Sequence, residues 1–292
     1  MKHVQIISEV GECFNGNMET ARRMIELSAA LGCDTVKFQI LDVDEISEDD
    51  PEREWFFKVE LTPSKIKDLI NFAQNSKIDI LFTPTSVKTA EWIYEAGQTQ
   101  VKIASSFVKK RDLLQFINQN FQLVYASTGM ASLEEISEML RMLDGPREIR
   151  LLHCISEYPT GPLLNKRGLV ALDEKDARLE MMSILKAIYP DLRIGYSDHT
   201  DGIFVPIVAA SMGADIIEKH FTLDKKTPIE HFEKGLEYMG TDHVLSIEPD
   251  ELGKMVSEIR RIEKIKGDRN WERTDGEKIL MEFLHGRYTE RH

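Results

Sequence analysis

What most constrains this chain is an alternation. Short apolar runs rich in Val and Ile recur eight times, and amphipathic or polar stretches separate them. The runs are 4–10 (VQIISEV), 35–40 (TVKFQI), 79–84 (DILFTP), 100–105 (QVKIAS), 123–128 (LVYAST), 148–155 (EIRLLHCI), 193–198 (RIGYSD) and 215–221 (DIIEKHF). Their shortness and near-continuous apolar character are those of parallel strands buried on both faces. The stretches between them carry helix punctuation. "NMETARRMIELSAALG" sets Met18, Ala21, Met24, Ile25 and Leu27 near one face and closes on Gly32, a residue suited to the left-handed position past a helix end. "TPSKIKDLINFAQ" offers Thr62 as N-cap with Pro63 after it. "SLEEISEMLRML" has the Ser132/Glu135 spacing of a capping box. "EPDELGKMVSEIRRIEKIKG" ends in a basic turn and Gly267.

Eight strand–helix units in 292 residues predict a closed parallel (β/α)8 TIM barrel. It forms a single domain over 1–267, followed by a charged tail at 268–292 containing Trp271 and Phe283. A doubly wound open sheet is the competitor. The first βα turn lacks a G-x-G-x-x-G cradle, and the count of eight favours the barrel. Residues 41–60 and 224–247 break the rhythm and predict extended βα loops, where barrels place function. Trp55-Phe56-Phe57, within the first of these, reads as a lid or interface rather than a sugar-stacking platform.

The net charge of −13 excludes nucleic acid as the main partner, because phosphate backbones need a basic stripe. It leaves room for a small anion held by a few lysines. Cys13, Cys33 and Cys154 form neither an even framework nor a CxxC pair, which predicts a reducing cytoplasm. No signal peptide and no apolar run long enough to span a membrane is expected.

The strand ends carry the chemistry. They read Glu9; Lys37 and Gln39; Thr83; Lys102 and Ser105; Ser127 and Thr128; His153; Ser197, Asp198 and His199; Glu218, Lys219 and His220. In a barrel all eight C-terminal ends meet on one face, where barrel enzymes react. A single histidine there is as often structural as functional, and a single lysine can snorkel to the surface. The joint pattern carries the weight. His199 and His220, on neighbouring strands, can converge on one divalent cation, Mn2+, Zn2+ or Fe2+. Asp198 either orients His199 or supplies a third ligand. Lys37, Lys102, Ser105 and Ser127 make a cationic, hydroxyl-rich cradle for an ester phosphate and a carboxylate. These residues indicate a small phosphorylated or carboxylated metabolite and do not choose the reaction. Cys13 and Cys154 lack a nucleophile motif and read as small buried residues.

"ISEVGECFNGN", "TVKFQ", "VKIASS", "STGMASLEEI", "LLHCISEYPT", "GYSDHTDG" and "GADIIEKHFTLD" stand in this order over residues 4–265. In this the chain resembles the sialic acid synthase family, phosphoenolpyruvate-dependent synthases of N-acetylneuraminate and related nonulosonic acids. The resemblance implies a C–C bond-forming transferase that makes a 3-deoxy-2-keto sugar acid from phosphoenolpyruvate and an N-acyl aldose. It implies a divalent metal on His199 and His220, chiefly Mn2+, with Mg2+, Zn2+ or Fe2+ as alternatives. It implies phosphoenolpyruvate against Lys37, Lys102, Ser105, Ser127 and Ser197. Glu9 matches an acid near metal and sugar, and Gln39, Thr83, Tyr158 and Asp242 fall in the substrate pocket.

The chain also departs from the family pattern. Cys13 and Phe14 stand where an Asn and a His are usual, and Ser106-Phe107 where Gly and an acid are usual. The loop after "HFTLD" is long. The family's C-terminal antifreeze-like domain, which helps hold the sugar across a homodimer, is expected to be missing. The pattern therefore implies an intact phosphoenolpyruvate half and an altered acceptor half. A metal-dependent hydrolase or lyase, and a non-catalytic or partner-dependent binding homologue, are the alternative readings.

Overall fold

The computed structural model describes residues 3–50, 53–158, 172–227, 229–230, 237–238, 241–267 and 271–289. Eight parallel strands form the barrel wall: β1 (Gln5–Gly11), β2 (Thr35–Ile40), β3 (Asp79–Pro84), β4 (Gln100–Ile103), β5 (Leu123–Ser127), β6 (Glu148–Cys154), β7 (Arg193–Asp198) and β8 (Ile216–His220). Ladders join them in the order β3-β2-β1-β8-β7-β6-β5-β4. β3 and β4 complete the circle side by side without a ladder. The Gln100 side chain bridges them by donating to the Ile80 carbonyl at 3.1 Å. The eightfold alternation thus gives the expected barrel, with every strand within two residues of its sequence bounds.

Helices α1 (Met18–Ala30), α2 (Arg53–Val59), α3 (Pro63–Asn75), α4 (Val87–Glu95), α5 (Arg111–Asn120), α6 (Leu133–Met142), α7 (Glu180–Ile188), α8 (Phe204–Ser211), α9 (Thr241–Leu245), α10 (Pro249–Lys266) and α11 (Asp275–Thr289) complete the chain. Local chemistry sets their ends. The Asn17 side chain accepts from Glu19 and Thr20 N–H at the start of α1. Ser132 and Glu135 form the expected capping box on α6. Thr62 makes no side-chain cap on α3, because its hydroxyl turns to Ser64 instead. The 41–60 stretch, expected as a loop, carries among its described residues a 3-10 turn at Val43–Glu45 and then α2. After β8 come a short antiparallel pair, β9 (Ile229–Glu230) with β10 (Glu237–Tyr238), and then α9. Among the described residues no helix is long and apolar enough to cross a membrane.

Strand alternation sorts the side chains. Ile6, Val36, Phe38, Val101, Ile103, Ala126 and Ile217 point outward into the main core beneath the helices. Ile7, Leu81, Tyr125, Leu152 and Ile216 point inward and plug the barrel's middle. Below that plug Arg150 donates to Gln5 at 2.6 Å and to the Tyr125 hydroxyl at 2.5 Å, closing the bottom. The next inward residues up each strand are polar, and they form the mouth. Gly195 is the β7 member of the plug. A Cβ there would lie 2.7 Å from the Ile216 carbonyl oxygen, a backbone atom that cannot swing away. Gly195→Ala is therefore expected to lower stability by about 1–3 kcal/mol, as overpacking does, read from the midpoint of a urea denaturation curve.

Candidate active site

Eleven of the twelve residues to which the family resemblance gives a site role line one hollow in the barrel mouth: Glu9, Lys37, Gln39, Thr83, Lys102, Ser105, Ser127, Tyr158, Ser197, His199 and His220. The twelfth, Asp242, stands beside it on α9, with Oδ2 3.8 Å from His220 Nδ1. Strand alternation explains the convergence. Ile7, Leu81, Leu152 and Ile216 face inward, so Glu9, Thr83, Cys154 and Glu218, two residues further along, do too.

The centre is Glu218, which sequence reasoning noted only as part of one strand end. Its Oε1 lies 2.7 Å from Lys102 Nζ, 2.9 Å from Lys37 Nζ and 2.9 Å from Ser197 Oγ, which donates to it. Lys102 also reaches Oε2 at 2.9 Å, and Lys37 lies 3.2 Å from Glu9 Oε2. All four ionisable groups are buried. Burial alone would raise the Glu218 pKa. The Lys102 and Lys37 ammoniums outweigh it and hold this carboxyl well below the usual range. Glu9 is raised, by burial above all, with Lys37 only partly opposing. Lys102 is lowered, by burial and then by Lys37, despite Glu218.

Beside this cluster stand two imidazoles, with ring centroids 5.3 Å apart. The Tyr158 ring packs 4.3 Å from His199 and 6.1 Å from His220. Burial lowers both histidines, His199 to about 4, so both rings are neutral near pH 7. His199 Nδ1 lies 3.1 Å from the Ile155 carbonyl. A carbonyl can only accept, so Nδ1 carries the proton and Nε2 keeps its lone pair. Among the described residues His220 Nδ1 is buried with no hydrogen-bond partner, as are Thr83 Oγ1 and Ser127 Oγ. Buried polar atoms are rarely left unpaired, and three around one hollow mark a place made for a ligand. Two neutral imidazoles with free ring nitrogens fit the divalent ion that the sequence implies. Among the described residues no set of three or more His, Cys, Asp or Glu is placed to hold a metal.

Several expectations need correcting. Asp198 does not touch His199. It points outward, fully buried, and accepts from Lys219 Nζ at 2.7 Å and from Thr200 Oγ1 at 2.9 Å. Lys219 also donates to the Thr200 carbonyl. His153 faces outward too, with Nε2 3.0 Å from the Ala177 carbonyl, so β6 presents Cys154 to the hollow instead. Phe14 does not face a sugar. It packs edge-on against Phe38 in the outer core, 6.0 Å away. Cys13 is buried, with Sγ 3.6 Å from Ser246 Oγ. Of the unusual residues at the acceptor side, only Phe107 opens onto the mouth. A Cβ at Gly129 would clash with the Ser156 and Ser105 hydroxyls, so the turn after β5 packs directly onto them.

The loops are tied down across the mouth. His243 Nε2 lies 3.0 Å from Asn15 Oδ1, and its Nδ1 2.7 Å from Thr222 Oγ1. Trp55 Nε1 donates to Glu12 at 3.0 Å, so α2 braces the β1–α1 turn.

A closed parallel barrel with a buried cationic pocket and paired neutral imidazoles at its C-terminal mouth has the architecture of a barrel enzyme's active site. The chain belongs to the NeuB family, whose profile matches residues 24–270. The N,N'-diacetyllegionaminic acid synthase of Campylobacter jejuni is 34% identical over 287 residues, spanning 92% of this chain and 79% of that protein. The N-acetylneuraminate-9-phosphate synthase of Drosophila melanogaster is 30% identical over 273 residues, 88% of this chain and 67% of that protein. The crystal structure of N-acetylneuraminic acid (sialic acid) synthetase from Leptospira borgpetersenii, in complex with citrate, superposes with a TM-score of 0.83 at 31% identity. It covers 99% of this chain and 93% of that one.

Two measurements follow. Glu218→Gln leaves two buried ammoniums without their carboxylate and is expected to cost about 3–5 kcal/mol of stability. Inorganic phosphate is expected to raise the melting temperature of this variant more than that of the wild type, in a thermal-shift titration. His243 titrates at about 4 when folded, lowered by burial, against about 6.5 unfolded. The unfolded chain therefore binds the extra proton between these values, and stability falls as pH drops from about 6.5 toward 4. The contribution is roughly 3 kcal/mol. His243→Asn is expected to flatten that slope in denaturation curves taken across the window.

Proposed function

We propose that the chain joins phosphoenolpyruvate to an N-acyl aldose, giving a 3-deoxy-2-keto sugar acid of the sialic acid or nonulosonate type and inorganic phosphate. One observation carries the reading. In a chain of the NeuB family, Lys37, Lys102 and the Ser105, Ser127 and Ser197 hydroxyls surround a buried hollow that abuts His199 and His220. The two lysines match the charges of a phosphate and a carboxylate, and the hydroxyls donate to their oxygens. Phosphoenolpyruvate thereby competes with Glu218 for the same ammoniums. C3 of the enol attacks the aldehyde carbon, forming the C–C bond. Water adds at C2, and that carbon expels phosphate with C–O cleavage, leaving a ketone. Lys37 and Lys102 stabilise the charge gathering on the leaving phosphate. Glu9, whose carboxyl is raised by burial, exchanges a proton with the acceptor oxygen in this reading. Tyr158 packs against both imidazoles and excludes water from them. Gln39, Thr83 and Asp242 supply the remaining polar contacts to the substrates.

His199 and His220 would hold the divalent ion, Mn2+ first, with Mg2+, Zn2+ or Fe2+ as alternatives. When bound, the ion acts as a Lewis acid on the acceptor aldehyde.

Phosphate release is expected only with phosphoenolpyruvate, an aldose and a divalent ion together, and the product is three carbons longer than the acceptor. A chelator, His199→Ala or His220→Ala is expected to reduce the rate more than about a hundredfold, since the ion supplies several kcal/mol of transition-state stabilisation. Malachite green detection of phosphate, with mass spectrometry of the product, is the measurement. Full turnover by the His220 variant would overturn the metal assignment. Release without any aldose would favour a hydrolase.

A further inference from the structure

Strands β7 and β8 deliver the two imidazoles side by side, and the residues just before them form a second buried ion pair that faces away from the hollow. Ser197 stands opposite Glu218 in the ladder, and both face inward, the hydroxyl donating at 2.9 Å. One residue on, Asp198 stands opposite Lys219, and both face outward, fully buried, 2.7 Å apart. Among the described residues this is the last registered pair of the β7–β8 ladder. His199 and His220 follow at once and face the hollow again. Lys219 does more than pair. Its ammonium also takes the Thr200 carbonyl, so it grips the chain on both sides of His199. Asp198 in turn accepts from the Thr200 hydroxyl at 2.9 Å and from the Thr200 N–H at 3.3 Å, which closes the turn around His199. The bonds of His199 itself lead away from β8: Nδ1 lies 3.1 Å from the Ile155 carbonyl, and its own carbonyl accepts from Leu172 N–H at 3.1 Å.

We infer that Lys219 and Asp198 are positioning residues for the divalent ion: their outward ion pair fixes the separation and aim of the two inward imidazoles. The inference rests on the metal role proposed above for His199 and His220. A metal site tolerates ligand distances only within about 0.2 Å, so the backbone that carries each ring has to be held. β8 is laced to β1 as far as the Glu9–His220 pair, which fixes His220 from that side. The end of β7 runs past its own ladder, and Lys219 carries the position of β8 across to it. Charge alone would act in the opposite direction. Lys219 sets a positive charge next to a cation site, and deleting it leaves the Asp198 carboxylate, which attracts a cation. An electrostatic role therefore predicts tighter metal binding once the ammonium is gone, and a positioning role predicts weaker binding.

The test is a Mn2+ titration of the purified protein without substrates, read from the loss of the free ion's electron paramagnetic resonance signal. The wild type is expected to bind the ion and His220→Ala to lose it. Lys219→Met is expected to raise the dissociation constant at least tenfold, the scale on which metal sites lose affinity when the groups behind their ligands are removed. The double variant Asp198→Asn/Lys219→Met leaves no unpaired charge in the interior. It is expected to lose the same factor, and it decides the question should the single variant fail to fold. Far-UV circular dichroism gives the folded fraction for each titration, so a change that only destabilises the barrel leaves the constant of the folded protein unmoved. Tighter binding, or a loss smaller than tenfold, in either folded variant overturns the inference while leaving the metal role intact. A wild type that takes up no Mn2+, or a His220→Ala variant that binds it equally well, overturns the metal assignment and this inference together.

Discussion

The barrel mouth depends on one carboxylate. Two lysines cannot lie within 3 Å of a common point in a buried pocket unless an anion occupies it. Glu218 is that anion, contributed by β8. Because it is covalently part of the wall, the cationic pocket is folded and ordered before any substrate arrives. The arrangement stands on the apolar plug of Ile7, Leu81, Tyr125, Leu152 and Ile216, which keeps water from reaching the cluster from below. Desolvation strengthens the ion pairs and makes their separation costly. Any anion entering this pocket would have to replace interactions of the same kind that Glu218 already provides.

Much of the fold was legible in the sequence because the barrel imposes two simple periods. Buried parallel strands must be short, apolar and β-branched, and runs such as "TVKFQI" and "DILFTP" admit little else. Ser132 and Glu135 announced α6 because a capping box is local chemistry. The long segment at 41–60 was less legible. Its acidic half reads as loop, while its 3-10 turn and α2 depend on Trp55 reaching Glu12 and on Arg53 reaching the Ile46 carbonyl, contacts no window of sequence contains.

The site was legible in membership and less so in direction. That polar groups gather at the strand ends follows from topology alone. Which of two neighbours faces the hollow depends on the phase of alternation. His153 and Asp198 were credited to the mouth, yet each is displaced by the residue beside it: Cys154 faces inward on β6, and His199 lies just past Asp198. Phe14 is a similar case, because past the end of β1 the chain turns it into the core against Phe38. Glu218 was visible but unweighted, since only the structure shows two lysines from distant strands arriving at its oxygens.

The ladder order ends at β3 on one side and β4 on the other, and the ring is closed there by packing and the Gln100 side chain rather than by backbone bonds. Above that seam Thr85, which follows β3, and Phe107, which follows β4, face a common space. A cylinder with seven laced joints and one unlaced joint concentrates its compliance at the unlaced one. Changes in girth can be absorbed there without breaking a main-chain hydrogen bond, while Lys37, Glu218 and the imidazoles sit on laced strands or beside them. Lys102, on β4, is the one member of the charge cluster carried by a seam strand, and the β5 ladder on its other side and the Glu218 carboxylate above hold it in place.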